Sequence, residues 1–165
     1  MANDGKFLTE QDGNLKRETA IQVSAGAPDA DKIARVNADG QWDETLIPNA
    51  EVQVKTAFET LAAGDFIYVR PDGQLAKADA TTAGKEASGF VRQAIVAAST
   101  GKVYGEGILG GFVGLTQNSI QWLSTTAGGR TEIVPSTSGN IQQPLGRAWS
   151  DTEIKIEFGR TIELD

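Results

Sequence analysis

The stretch that decides the fold is "DFIYVRPDGQLAKADA", Asp65 to Ala80. An apolar, β-rich run, "DFIYV", meets an Asp-Gly pair, and a second short run, "LAKA", follows. Asp-Gly supplies the positive φ angles of a tight turn at little steric cost, so the stretch predicts a hairpin with strands on both sides. Nearly the same phrase occurs twice more, as "EQDGNL" (Glu10 to Leu15) and "NADGQW" (Asn37 to Trp42), with weaker strands around it. The three copies read as independent turns. A calcium loop would need carboxylates at alternating positions and a distal bidentate Glu, which none of them has.

Outward from that hairpin, short runs recur at close spacing: "EVQVKTA", "SGFVRQAIV", "GKVYGEGIL", "SIQWLS", "RTEIVPS", "NIQQPLGRAWS" and "TEIKIEF". Gly, Ser, Thr, Asn or Asp separates nearly every pair. This punctuation predicts an all-β fold, a small barrel or sandwich. In the last run Ile154, Ile156 and Phe158 share one face, and Lys155 and Glu157 the other. "FETLAAGD" (Phe58 to Asp65) reads as a single helical turn closing a corner.

Residues 1 to about 50 differ. They carry 5 basic and 9 acidic side chains, a net −4 of the chain's −7. Their apolar residues are too sparse to bury enough surface against chain entropy. The expected organisation is an extended, largely irregular N-terminal arm over residues 1–50 and a β-barrel domain over 51–165. Trp42, Leu46 and Ile47 form a compact apolar anchor just before Pro48, and Ile21 and Val23 are candidate inward residues for strand addition to a partner sheet. These five are the candidate partner-binding residues. Burying such side chains is worth about 1.5–3 kcal/mol each. Ordering an arm costs about 1–2 kcal/mol per residue, so the anchor alone cannot hold it.

The 165 residues include 22 acidic and 15 basic side chains and no His or Cys. Duplex nucleic acid would be repelled by such a surface. The composition removes Cys- or His-based nucleophile pairs, Ser-His-Asp triads, zinc sites with those ligands, and disulfides. No apolar run approaches the roughly 20 residues needed to span a bilayer, and the N-terminus lacks an apolar signal core. The expectation is a soluble protein made in a cytoplasm.

Possible chemistry is thin. Asp65, Glu106, Glu132 and Asp151 are candidate carboxylates for glycoside hydrolysis, but such residues at strand ends are usually solvated. "GILGGFVGL" (Gly107 to Leu115) lacks the Lys-Ser/Thr ending of a phosphate loop and reads as a glycine-kinked strand. Trp122 and Trp149 could form a carbohydrate platform, yet core or interface positions suit them better. No catalytic, cofactor-binding or metal site is expected, and no enzyme.

The stretch "LAAGDFIYVRPDGQLAKADATTAGKEASGFVRQAI" (Leu61 to Ile95), then "GLT" and "WLSTTAGGRTEIVPSTSGNIQQPLGRAWSDTEIKIEF" (Trp122 to Phe158), resembles small β-barrel domains of tailed-bacteriophage structural proteins. The pattern runs from a "GD" strand through a "DG" turn to a "GFV" strand. "AGAPDADKIARVNADGQWDETLIP" (Ala25 to Pro48) resembles the linker ahead of such domains. The resemblance covers about residues 25–158, and its motifs gain specificity only from their order. It implies a structural virion protein: a capsid decoration (cement) protein or the capsid-proximal part of a head fibre. It places the protein on the capsid surface, and in the host cytoplasm during assembly. The implied partners are the major capsid protein and the chain itself, as a homotrimer or, second, a dimer, with no nucleic acid or membrane. A receptor- or carbohydrate-binding module of a phage tail or head fibre is the alternative, and a small β-barrel enzyme the third. An exposed aromatic pair with nearby amides would favour the alternative, and convergent carboxylates in a cleft the enzyme.

Overall fold

The computed structural model describes residues 6–11, 14–22, 33, 34, 36 and 52–164. Within these it is all-β, with no helix. The chain divides into two compact units, residues 1–52 and 53–165.

In the first unit, β1 (Lys6–Gln11) and β2 (Asn14–Thr19) form an antiparallel hairpin in register from Lys6↔Thr19 to Gln11↔Asn14. Two residues, the first Asp-Gly copy, separate the strands, the loop length that tight hairpins favour. The hairpin has no core of its own among the described residues. Leu8 is 66% and Leu15 75% exposed.

From the boundary between the units onward come β3 (Val52–Thr56), β4 (Phe66–Val69), β5 (Leu75–Lys77), β6 (Gly89–Phe90) and β7 (Thr100–Tyr104). They form one five-stranded sheet in the order β3-β7-β6-β4-β5. The Asp65–Ala80 hairpin forms as its sequence predicts. Val69 pairs with Leu75, Arg70 N–H donates to Gln74 O at 2.9 Å, and Gly73 takes φ 81°. Asp72 accepts from the Gln74 amide at 3.0 Å, which pre-sets the turn.

Phe58 to Asp65 is no helical turn. Ala57 bridges Leu75, and Leu61 bridges Ile95 through reciprocal amide–carbonyl bonds of 2.8 and 2.9 Å. The Phe58 amide goes to Leu75 O, and both backbone groups of Leu61 go to Ile95, so they are not available to a helical ladder. Ala57 and Leu61 are instead buried with Ile67, Leu75, Val91, Ile95 and Val103. Burial of these side chains outweighs the helix preference of "TLAA".

The second five-stranded sheet uses β8 (Gly107–Gly110), β9 (Ile120–Leu123), β10 (Arg130–Thr131), β12 (Pro144–Ala148) and β13 (Glu153–Ile156) in the order β10-β9-β12-β13-β8. A small sheet joins β11 (Ile141–Gln142) to β14 (Ile162–Glu163). The pleat of β13 follows its sequence: Ile154 and Ile156 are buried, Lys155 and Glu157 exposed. Phe158 lies beyond the strand, half-buried, its ring edge-on to Phe66 at 6.4 Å.

Two buried polar groups fix loops. Gln143 accepts from Ala87 N–H at 2.7 Å and donates to Ala87 O at 2.8 Å, so one amide replaces a strand neighbour. Gln143→Ala is expected to cost about 2–4 kcal/mol, because it strands two buried backbone groups, and a denaturant midpoint measures it. Asp79 accepts from the Thr81 amide at 3.0 Å and the Thr81 hydroxyl, and pairs with Lys85 at 3.1 Å. Burial raises its pKa, but the Thr81 bonds and then Lys85 outweigh this and hold it below the ordinary value of 3.8. A lowered folded-state pKa adds stability above the unfolded pKa and loses it as pH falls through the folded value. Asp79→Asn is therefore expected to flatten the loss of stability below about pH 4, read from melting temperature against pH.

Candidate functional site

Of the five candidate partner-binding residues, Val23, Trp42, Leu46 and Ile47 lie outside the described residues. Ile21 is half-buried. Its amide donates to Ile33 O at 2.9 Å, and it bridges Ala34 in parallel. Gln22 Nε2 donates to Val36 O at 3.3 Å. The backbone of Ile21 is thus paired inside the first unit, where Leu8 and Leu15 of β1–β2, with Ile33 and Val36, are the exposed large apolar residues among those described.

Two of the carboxylates named as hydrolase candidates, Asp65 and Glu132, serve separate local contacts. Asp65 accepts from Ala62 N–H at 2.8 Å and pairs with Lys77 at 3.1 Å, closing the Leu61–Phe66 corner. Glu132 accepts from Thr116 N–H at 3.0 Å and from the amide of fully buried Gln121 at 3.2 Å. The Thr116 bond, with help from Gln121, lowers its pKa. Arg130 donates to Gln121 Oε1 at 2.9 Å and lies over the Phe112 ring at 5.1 Å. This network ties the loop after β8 to β10. On the tied segments Val113 is 88% and Ile133 81% exposed.

Trp122 and Trp149 do not form a platform. Trp122 is half-buried in β9 opposite Pro144, whereas Trp149 follows the far end of β12. Five residues of strand separate those positions, about 16 Å. Trp149 is not a core residue: it is 61% exposed at the rim of a groove of about 590 Å³.

The groove is built from a pinned turn and a strand pair. Asn118, at φ 65°, donates its amide to Ala148 O at 2.9 Å, and its carbonyl accepts from Arg147 Nη1 at 3.2 Å. Trp149 N–H donates to Glu153 O at 2.7 Å, which fixes the indole's backbone at the β12–β13 turn. Arg147 and Lys155 are direct cross-strand partners and both are exposed. Gln117 and Glu157 complete the lining. The outward position of Lys155 follows from the alternation of β13, but its pairing with Arg147 depends on register.

No protein-family model, no curated protein and no solved structure matches the chain.

Proposed function

We propose that the chain is a structural virion protein that binds the outer surface of a phage capsid, as a cement protein or the capsid-proximal part of a head fibre, without catalysis. The observation that carries this reading is the split between the two units. Residues 53–165 hold their own buried core, while the β1–β2 hairpin leaves Leu8 and Leu15 uncovered. A hairpin with such exposed leucines gains from a second surface that covers them, since a lone two-stranded hairpin is marginal in water. A repeating lattice supplies one, and many copies add avidity without stronger single contacts. The ordered motifs from Ala25 to Phe158 that resemble phage structural domains support the same reading.

A homotrimer is the expected assembly, with a dimer second. Val113 and Ile133, on segments tied by the Glu132 and Arg130 contacts, offer apolar surface for it. Light scattering at micromolar concentration checks this; a strict monomer in solution and on the particle contradicts it. Electron microscopy of the parent virion tests the function. Density for this chain is expected over the outer capsid lattice, and density confined to the tail, or none, overturns the proposal.

A further inference from the structure

We infer that the groove beside Trp149 is a binding site for an acidic oligosaccharide. The inference rests on residues of the second unit alone and is independent of how the first unit docks.

Four features converge on that ligand class. First, the volume of about 590 Å³ lies within the roughly 300–1,000 Å³ of small-ligand sites. Secondly, Trp149 presents a large exposed ring from a backbone fixed by its bond to Glu153 O. An indole offers a flat apolar face, suited to the C–H face of a pyranose, and an N–H for a hydroxyl. Thirdly, Gln117 and Asn118 line the same groove with side-chain amides, each able to donate and accept, as a ring's hydroxyls require. Fourthly, Arg147 and Lys155 stand directly opposite each other across β12 and β13. Like charges placed directly opposite each other destabilise the pairing.

Among the described residues no ion pair closes on either cation, and Glu157 is the one carboxylate in the lining. Arg147 spends Nη1 on the Asn118 carbonyl, which steers the guanidinium and leaves further donors for a ligand. A carboxylate bridging Arg147 and Lys155 would relieve their repulsion and gain charge-assisted hydrogen bonds. A sugar ring on Trp149 with an acidic group toward Arg147 and Lys155 satisfies all four features. A nucleic acid strand fits poorly, because this is one cation pair on a chain of net charge −7.

The test uses the full chain and a hyaluronan hexasaccharide, which alternates glucuronate with an N-acetylated sugar. Its carboxyl-reduced form is the neutral control, and inorganic sulfate the free-anion control. The readouts, in a titration followed by nuclear magnetic resonance, are the indole N–H resonance of Trp149 in chains that keep it and the backbone amide resonances of Asn118 and Lys155, which every variant retains. The acidic hexasaccharide is expected to shift that resonance with a millimolar or tighter dissociation constant. The reduced form should bind at least about tenfold more weakly, and Trp149→Ala should weaken the acidic ligand by about tenfold or more. Trp149→Phe should retain part of the affinity. Arg147→Gln combined with Lys155→Gln should abolish the preference for the acidic form. Both sites are exposed, so melting temperatures close to the parent's are expected.

Absence of any Trp149 shift at about ten millimolar sugar, or undiminished binding by Trp149→Ala, overturns the proposal. Equal affinity for the acidic and reduced forms overturns it too, as does sulfate reproducing the full effect.

Discussion

Gly146→Ala is expected to destabilise the second unit by about 3 kcal/mol or more. The reason is local to β12. The pairing of β12 with β9 shifts register between Pro144 and Gly146, so an irregularity sits in the middle strand of the second five-stranded sheet. Gly146 is buried there at φ 149°, a conformation that L side chains rarely adopt. A Cβ would overlap the carbonyl oxygen of Lys155 and lie 3.0 Å from its carbon and 3.1 Å from Ile156 Cα. All three are backbone atoms of the neighbouring strand and cannot swing aside as the end of a long side chain can. The strand must move, and with it Ile154 and Ile156, which are core residues. Chemical unfolding of the two proteins measures the difference. A loss below about 1 kcal/mol would show that the bulge absorbs a methyl group, contrary to the packing described.

That bulge marks a limit of what the amino-acid sequence discloses. The Asp65–Ala80 hairpin was legible because its strands, turn and side-chain alternation are contiguous, and local physics is enough. The alternation of Ile154, Lys155 and Ile156 was legible for the same reason. The Phe58–Asp65 corner was misread as helical, because the deciding bonds go to Leu75 and Ile95, whose positions depend on the whole sheet. Gln143 had no readable partner, since Ala87 is 56 residues away. The groove was only half legible. Trp149 stood out as an aromatic residue, but its exposure depends on where β12 ends. The juxtaposition of Arg147 with Lys155 depends on register across two strands. The six paired positions of β1 and β2, between polar strands, were not readable, and the Asp-Gly pair that links them lies outside the described residues.

The second large effect concerns docking. Removal of residues 1–47 is expected to leave the second unit folded, because β3 begins at Val52 and, among the described residues, every buried apolar side chain lies beyond residue 56. It is also expected to remove most binding to capsids. Leu8 and Leu15 expose apolar side chains that a partner surface would cover, each worth about 1.5–3 kcal/mol when fully buried. Trp42, Leu46 and Ile47 are proposed to add a further anchor. Loss of several such contacts per copy multiplies across a lattice, so a modest change per chain becomes a large change in occupancy. Single changes should be milder: Leu15→Ser or Trp42→Ala is expected to give intermediate binding.

The most direct measurement is co-sedimentation of capsids lacking this chain with equal concentrations of the full protein and of the chain without residues 1–47. The account predicts that the shortened chain melts cooperatively but stays in the supernatant while the full chain pellets at saturation. Equal pelleting of the two would contradict it.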